Sequence, residues 1–183
     1  MIALITADKI KTTNWSGGLT SELFIFPTNS SYKELNFDFR LSTATIEVDT
    51  SSFTPLPGVK RTLMVLDGTL ELHHKNEHST ILNQYETDQF LGDWETISYG
   101  QVIDFNLMIK APNLTGSMRH LILGKKKSID LTCEKHAFIY IYKGSIQIQN
   151  ETLTGGEAIY FDSSEQISIF AENNATLIYV SIF

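Results

Sequence analysis

The sequence predicts an all-β protein built from β-sandwiches or barrels, and three observations support this fold class. Apolar residues recur at period two in short runs along most of the chain. Turn-forming residues separate these runs, and no window of helical length shows a convincing 3.6-residue period. Many short strands at close spacing are typical of sandwiches and barrels.

The predicted strands are separated by segments that carry glycine, proline, asparagine, aspartate or serine. In chain order, they cover residues 23–26, 37–48, 62–66, 69–74, 102–109, 119–123, 137–142, 145–149, 157–161, 166–170 and 175–182. Segment 51–58 holds two of the four prolines in the chain, and proline donates no hydrogen bond to a sheet. It is therefore predicted to be a stiff loop.

The apolar residues of the predicted strand 37–48 change phase along its length. They occupy odd positions up to Leu41 and even positions from Ala44 onwards. Because side chains alternate between the two faces of a strand, a regular strand cannot keep both sets on one face. The sequence therefore predicts a bulge near Ser42 or Thr43, or a strand that passes from one sheet to another.

An internal repeat indicates how the strands are organised. Segments 61–72 and 137–148 both read as a strand, one polar residue, a glycine and a second strand, with Gly68 and Gly144 at matching positions. Such pairs suit tight hairpin turns in which glycine takes a positive φ. The repeat predicts two tandem barrels, residues 1–111 and 112–183, joined around 112–116 and packed into one compact unit, with strand exchange between them left open.

Composition excludes several classes of protein. A chain of 183 residues that is 42% hydrophobic can bury a sizeable core, so disorder is excluded. The net charge is -7 and the one basic run is 125–127, so nucleic acid is not an expected partner. No apolar stretch is long enough for a bilayer, the N-terminus lacks the basic start of a signal peptide, and Cys133 is the single cysteine. These features predict a cytoplasmic protein that does not bind membranes.

The predicted strand 102–109 carries an unusual polar pair. Its odd positions are all apolar, while Asp104 and Asn106 share the other face with Val102 and Met108. A strand that is apolar on both faces at its ends places such a pair inside a barrel. Because an unpaired buried carboxylate costs several kcal/mol, a cationic partner is expected, and Arg40 and Arg61 are the candidates.

Two interpretations of this polar group stay open. In the functional one, Arg40 or Arg61 binds a ligand carboxylate bidentately, Asp104 and Asn106 bind an amide or amine, and apolar side chains form the walls. In the structural one, a buried Arg–Asp pair only stabilises the barrel. The predicted ligand-binding residues are Trp15, Arg40, Ser42, Phe53, Arg61, Asp104, Asn106 and Met108. For three other features the structural role is preferred: a turn at Gly17–Gly18, a surface charge at Glu22 and a turn at Asp93.

An ordered set of motifs resembles a known family. These are WSGGLTSE at 15–22, FRLSTA at 39–44, FTPLPGVKR at 53–61, FLGD at 90–93 and GQVIDFNLM at 100–108. Together they resemble the HutD/Ves family of two-barrel, cupin-like (RmlC-like) proteins, strongly over the first 110 residues or so and only through the barrel pattern after Pro112. Many relatives carry an asparagine near the tryptophan–glycine element, where this chain has Ser16, so any ligand role of that asparagine is not transferred.

The resemblance implies tandem jelly-roll barrels, in other words a bicupin. Metal-binding cupins typically place a Glu seven positions before the first hairpin glycine, and here Arg61 stands seven positions before Gly68. The same count from Gly144 reaches Ala137. Neither barrel keeps a ligand set, so no metal and no cofactor is predicted. The remaining cluster, His73, His74 and His78, is interpreted as exposed turn histidines, with an adventitious metal site as the alternative.

The function implied by the resemblance is limited to binding. Family members are linked to histidine utilisation, where binding of an intermediate such as formylglutamate has been suggested. We therefore expect a metal-independent cupin that binds a small carboxylate-bearing metabolite and has a regulatory role rather than a catalytic one. The alternatives are a metal-independent isomerase or epimerase that uses Asp104 with a nearby Tyr99, and a homodimer formed through an exposed sheet.

Overall fold

The computed structural model describes residues 2–133 and 135–183, and these fold almost entirely as β-strands. The chain divides into two compact units. The first barrel is Lys11–Leu114, and the second barrel combines the described residues up to Ile10 with Thr115–Phe183. The sequence-based division instead assigned the first ten residues to the first barrel. No helix of the described residues is long and apolar enough to cross a membrane.

The first barrel is built from two sheets. Its strands are β2 (Lys11–Trp15), β3 (Gly18–Phe26), β4 (Phe39–Ile46), β5 (Thr50–Ser52), β6 (Lys60–Asp67), β7 (Leu70–His74), β8 (Ser79–Leu82), β9 (Thr87–Leu91), β10 (Thr96–Tyr99) and β11 (Val102–Ile109). A six-stranded sheet has the order β2-β3-β4-β11-β6-β9, and a four-stranded sheet has the order β5-β10-β7-β8. All pairings are antiparallel, as in a jelly roll.

The second barrel repeats this arrangement with five and four strands. Its strands are β1 (Ile2–Ile5), β12 (Gly116–Leu123), β13 (Lys127–Cys133), β14 (His136–Lys143), β15 (Ser145–Ile148), β16 (Glu151–Thr154), β17 (Ala158–Phe161), β18 (Glu165–Ala171) and β19 (Ala175–Ile182). The sheet orders are β1-β17-β14-β19-β12 and β13-β18-β15-β16. A 3₁₀ turn at Ala7–Lys9 follows β1. The all-β, jelly-roll prediction is confirmed.

The phase change predicted in strand 37–48 has a different cause from the one expected. β4 pairs with β11 in unbroken register, so β4 itself contains no bulge. The register shift lies in the partner strand β3, between Glu22 and Phe24. β4 is buried on both faces, with Phe39 and Leu41 on one face and Arg40 and Ser42 on the other. Along the chain, the even positions change from polar, at Arg40 and Ser42, to apolar, at Ala44 and Ile46, and all four line one cavity.

The interiors of the two barrels differ in chemistry. A cluster of aliphatic side chains with a few others fills the second barrel, and Cys133 is buried in this cluster. In the first barrel, the apolar cluster around Leu63, Leu70 and Phe90 occupies only part of the interior. The rest is bordered by polar side chains from β4, β6 and β11, and it is there that the candidate site lies.

Candidate functional site

Three neighbouring strands align the central residues of the site. β11 lies between β4 and β6, and Met108 is paired with Arg40 on one side and with Arg61 on the other. One pair further along β11, Asn106 lies opposite Ser42. Because side chains two residues apart point to the same face, these residues border a single space.

That space is a cavity of about 620 Å³ in the first barrel. All eight residues predicted from the sequence line it: Trp15, Arg40, Ser42, Phe53, Arg61, Asp104, Asn106 and Met108. Trp15 is 39% exposed and lies at the rim, whereas Asp104 is 2% exposed and lies at depth. A cavity of this size lies within the range that encloses small metabolites, although ligand binding itself stays a prediction.

Arg61 is a buried cation with few hydrogen-bond partners. Its Nη2 donates to Asn106 Oδ1 at 2.9 Å, and its Nε is buried without a hydrogen-bond partner among the described residues. The guanidinium lies over Phe53 at 4.7 Å and over Phe90 at 5.0 Å. Burial lowers the pKa of Arg61 to about 10, so it still carries its charge at neutral pH. No direct ion pair to Arg61 occurs within the described residues, which leaves its charge available to an anion.

Asn106 connects Arg61 to the buried carboxyl of Asp104. Asn106 Nδ2 donates to Asp104 Oδ1, and the Ala44 backbone also hydrogen-bonds this carboxyl. Burial raises the pKa of Asp104 to about 7, against the opposing effect of Arg61. Asp104 can therefore hold or release a proton near neutral pH. The direct Arg–Asp pair of the structural interpretation is absent among the described residues, since Asn106 stands between the two charges.

Arg40 differs from Arg61 in that it already has an anionic partner. Its Nε lies 2.7 Å from Glu22 Oε2, and its Nη1 donates to Ser42 Oγ at 3.1 Å. Glu22 lines the cavity, so the preferred interpretation of this residue as a surface charge is wrong. The tyrosine ring of Tyr32 lies 4.3 Å from the centre of the Arg40 guanidinium and covers it.

The cavity carries a positive balance in an acidic protein. Four cationic residues line it, Lys11, Lys33, Arg40 and Arg61, against two acidic ones, Glu22 and Asp104. The chain as a whole has a net charge of -7. Charges of one sign in a low-dielectric cleft raise the local concentration of the opposite ion. The lining therefore favours an anionic ligand.

Sequence reasoning missed several residues that line the cavity from outside the central strands. Tyr32 and Lys33 lie between β3 and β4, and Lys11 lies on β2, where every residue is exposed. Nothing in the alternation of segment 27–38 indicates that it faces the cavity. Glu22 could have been found from the period-two spacing of Thr20 and Glu22 on a strand next to β4.

The two residues with preferred turn roles have defined contacts. Gly18 has a φ of +145°, and a Cβ there would clash with the Thr45 backbone carbonyl. Glycine is required here because the backbones of β3 and β4 approach closely. Asp93 accepts a hydrogen bond from the Gly58 backbone N–H at 2.8 Å and so fixes the end of the proline-containing loop. This loop is shorter than the predicted 51–58, because β5 extends to Ser52.

The histidine cluster differs from its prediction. His73 and His74 do lie on opposite faces of β7, and His73 is exposed. His74, however, is 3% exposed, so its interpretation as an exposed turn histidine is wrong. Its ring packs 4.5 Å from Phe90 and its nitrogens contact Thr96 and Asp88. None of the three histidines is among the residues that line the cavity.

Comparisons with known proteins place the chain among cupin-like folds. The sequence model of one family, described as HutD, matches residues 7–179. A conserved protein of unknown function from Pseudomonas aeruginosa PAO1 has 19% identity and a TM-score of 0.83, with 100% of this chain and 98% of that one covered. HutD from Pseudomonas fluorescens SBW25 has 20% identity and a TM-score of 0.75, with both chains covered to 100%. The bacterial pirin YhhW from Escherichia coli, in complex with nickel(II), has 14% identity and a TM-score of 0.76, with 98% of each chain covered. No curated protein matches the sequence.

Proposed function

This chain belongs to the HutD family, and we propose that it is a binding protein for a small carboxylate-bearing metabolite held against Arg61 in the first barrel. The observation that carries the proposal is the Arg61 guanidinium, which is buried in the wall of a cavity and has no carboxylate partner among the described residues. A buried unpaired charge is costly, and an anionic ligand would remove that cost.

The shape of the site supports a ligand with both polar and apolar parts. Phe53 and Phe90 hold the Arg61 guanidinium from the side, which leaves its remaining N–H groups for a carboxylate. Beside it, the Asn106 amide keeps one free donor and one free lone pair, because each end makes one hydrogen bond within the barrel. An amide or formyl group on a carboxylate-bearing ligand could hydrogen-bond to this free donor or free lone pair of Asn106. Trp15 and Met108 supply apolar contacts.

The name of the family suggests which carboxylates to test first. We propose a histidine-degradation intermediate such as formylglutamate, which combines carboxylates with a formamide, and a regulatory role rather than a catalytic one. The positive balance of the lining, with Lys11 and Lys33 beside the two arginines, supports a ligand that carries more than one negative charge.

Isothermal titration calorimetry of the full chain tests this proposal. Formylglutamate, formiminoglutamate, glutamate and urocanate are titrated in turn, and one-to-one binding of at least one of them is expected. Arg61→Gln should weaken that binding by about 10- to 100-fold, the range for losing hydrogen bonds to a charged group. Arg119→Gln is the matched control, because Arg119 also lies over a ring, that of Tyr179 at 5.1 Å, but in the second barrel.

A second variant covers the case in which Arg61→Gln fails to fold. Lys33 is exposed and lines the cavity, so Lys33→Ala should fold normally and weaken binding severalfold. Absence of heat with every carboxylate, or equal binding by wild type and folded Arg61→Gln, would refute the proposal.

The isomerase alternative has less support from the site. It requires a tyrosine or histidine within hydrogen-bond reach of Asp104 to act as the second acid or base. Among the described residues, Asp104 is hydrogen-bonded by Asn106 and the Ala44 backbone. Tyr99, the residue considered for this role, is 41% exposed and does not line the cavity. We therefore favour binding over isomerisation.

A further inference from the structure

Two histidines and one aspartate converge at a second place in the first barrel. His74 ends β7, His78 follows it after a short turn, and Asp88 comes from β9. His74 Nε2 lies 2.8 Å from Asp88 Oδ2, and His78 Nε2 lies 3.1 Å from both oxygens of that carboxylate. Both histidines therefore direct the same ring nitrogen at one carboxylate group.

The turn between the two histidines holds their rings close to each other. The His74 backbone N–H donates to the His78 carbonyl at 2.8 Å, and Asn76 in the turn has a φ of +64°. The two imidazole rings are 4.6 Å apart, and the Trp94 ring lies at 5.5 Å from one and 5.7 Å from the other. Such ordering before any ligand binds lowers the entropic cost of binding.

Both ring nitrogens of His74 have a neighbour on another strand. Nδ1 lies 2.8 Å from the Thr96 hydroxyl, and Nε2 lies 2.8 Å from Asp88 Oδ2. In the tautomer whose Nδ1–H donates to Thr96, the Nε2 lone pair faces the carboxylate and is available to a metal ion that Asp88 also binds.

The ring of His74 is held by a contact on the side away from Asp88. Its Nδ1 lies 2.8 Å from the Thr96 hydroxyl, which leaves Nε2 directed at the carboxylate. The Thr96 hydrogen bond to Nδ1 is the kind of contact that orients metal-binding histidines.

We infer that His74, His78 and Asp88 form a binding site for a divalent transition-metal ion such as Zn²⁺. The three ligand atoms all lie within 4.8 Å of one another. Ligands of a tetrahedral zinc ion with bonds of about 2.0–2.1 Å are roughly 3.3 Å apart, so only small movements are needed. Imidazole nitrogen with carboxylate oxygen is a donor set that zinc accepts. The His78 side chain is 39% exposed, so water can reach the ion and supply the fourth ligand.

This site is separate from the cavity described above. The ring of Phe90 lies between them, 4.5 Å from His74 on one side and 5.0 Å from the Arg61 guanidinium on the other. The three ligands come from both sheets of the first barrel, since β7 and β9 belong to different sheets. A bound ion would therefore link the two sheets and raise the stability of the barrel.

Metal titration of the full chain, without an affinity tag and after treatment with a chelator, tests the inference. Zn²⁺ should bind with a stoichiometry of one and raise the melting temperature, and Co²⁺ should give the visible absorption of a four- or five-coordinate ion. His78→Ala should weaken Zn²⁺ binding at least tenfold and abolish the Co²⁺ spectrum. His78 is partly exposed and lies outside the core, so this variant should fold.

The matched control is His73→Ala. His73 is adjacent to His74 but points away, with its Nε2 2.7 Å from Glu71, so its removal should change neither Zn²⁺ affinity nor the Co²⁺ spectrum. Asp88→Asn gives a second test, because it keeps the shape of the side chain and removes its charge. Its Zn²⁺ affinity should also fall at least tenfold.

A fluorescence readout localises the ion. The chain has two tryptophans, and in the Trp15→Phe variant the remaining Trp94 contacts both histidine rings. Ni²⁺ should quench its emission with the same affinity that calorimetry reports. Lack of saturable Zn²⁺ binding by the wild type, an unchanged affinity in His78→Ala, or an equal loss in His73→Ala would overturn the inference.

Discussion

Glu22 and Arg40 form an ion pair on the wall of the cavity, with Oε2 2.7 Å from Nε. The pairing of β3 with β4 places Glu22 opposite Ser42, two residues from Arg40, so the carboxylate reaches the guanidinium across the strands. One of the two arginines is thus neutralised within the protein. The two arginines therefore differ: Arg61 is available to bind an anionic ligand, whereas the charge of Arg40 is already paired with Glu22.

Glu22→Gln should release Arg40 and strengthen the binding of dicarboxylates. The freed guanidinium can take a second carboxylate of the same ligand, so we expect about threefold to tenfold tighter binding of the dicarboxylate that binds the wild type. Calorimetry with that ligand and with a monocarboxylate analogue measures the difference. Glu71→Gln, which makes the same charge change next to His73 outside the cavity, is the control. Equal gains in both variants would mean that only net charge matters.

Ligand affinity should fall as the pH rises through about 7. Burial raises the pKa of Asp104 to about 7, and an anion bound at Arg61 would raise it further by repulsion. Binding therefore takes up a proton above this pH, and each further unit of pH weakens affinity by up to about tenfold. Calorimetry at pH 6 and 8, in buffers of different ionisation enthalpy, measures both the affinity and the proton uptake. In Asp104→Asn the affinity should be nearly independent of pH, and a persistent slope there would assign the effect to another group.

Period-two alternation explains why the centre of the site could be predicted. β11 and β19 have the predicted bounds, and the two-faced apolar pattern of β11 places Asp104 and Asn106 inside. The repeat likewise located the hairpin glycines Gly68 and Gly144. These features depend on residues that are close in sequence.

The unpredicted parts depend on which strands become neighbours. Strand β2 is exposed at every position, so it has no apolar alternation by which to recognise it. His74 is buried because Phe90 and Thr96 come from other strands, and no local pattern contains that information. The same holds for Tyr32, which reaches Arg40 from an irregular segment. Sequence reasoning therefore found the residues of the central strands β4, β6 and β11, together with Trp15 and Phe53, and missed contacts that depend on how distant segments meet.

Asp104 should also make the free energy of unfolding depend on pH in an unusual direction. Its pKa is about 7 in the folded state, against 3.8 for an unperturbed carboxyl, so the folded state binds more protons than the unfolded state between these values. The contribution of Asp104 to stability is therefore greatest below about pH 4, decreases as the pH rises to about 7, and is constant above it. Urea denaturation of wild type and Asp104→Asn at pH 5, 6, 7 and 8 isolates this contribution as a difference. The stability of the wild type relative to Asp104→Asn should fall from pH 5 to 7, and a difference that stays constant would contradict the assignment.

The hairpin glycines Gly68 and Gly144 should tolerate a side chain less well than Gly156, although the three backbones are alike. Gly68, Gly144 and Gly156 have φ values of +89°, +85° and +93°. A Cβ at Gly68 would lie 2.7 Å from the Gln101 carbonyl oxygen, and one at Gly144 would lie closer still to the Asn174 carbonyl oxygen, whereas one at Gly156 meets nothing within 4 Å. Gly156→Ala should therefore cost only the backbone strain of about 1 kcal/mol. Gly68→Ala and Gly144→Ala should each cost at least about 2 kcal/mol, because backbone must move as well. Chemical denaturation of the three variants measures these losses. If both Gly68→Ala and Gly144→Ala cost more than Gly156→Ala, the same close approach of backbone explains the repeated glycine in both barrels.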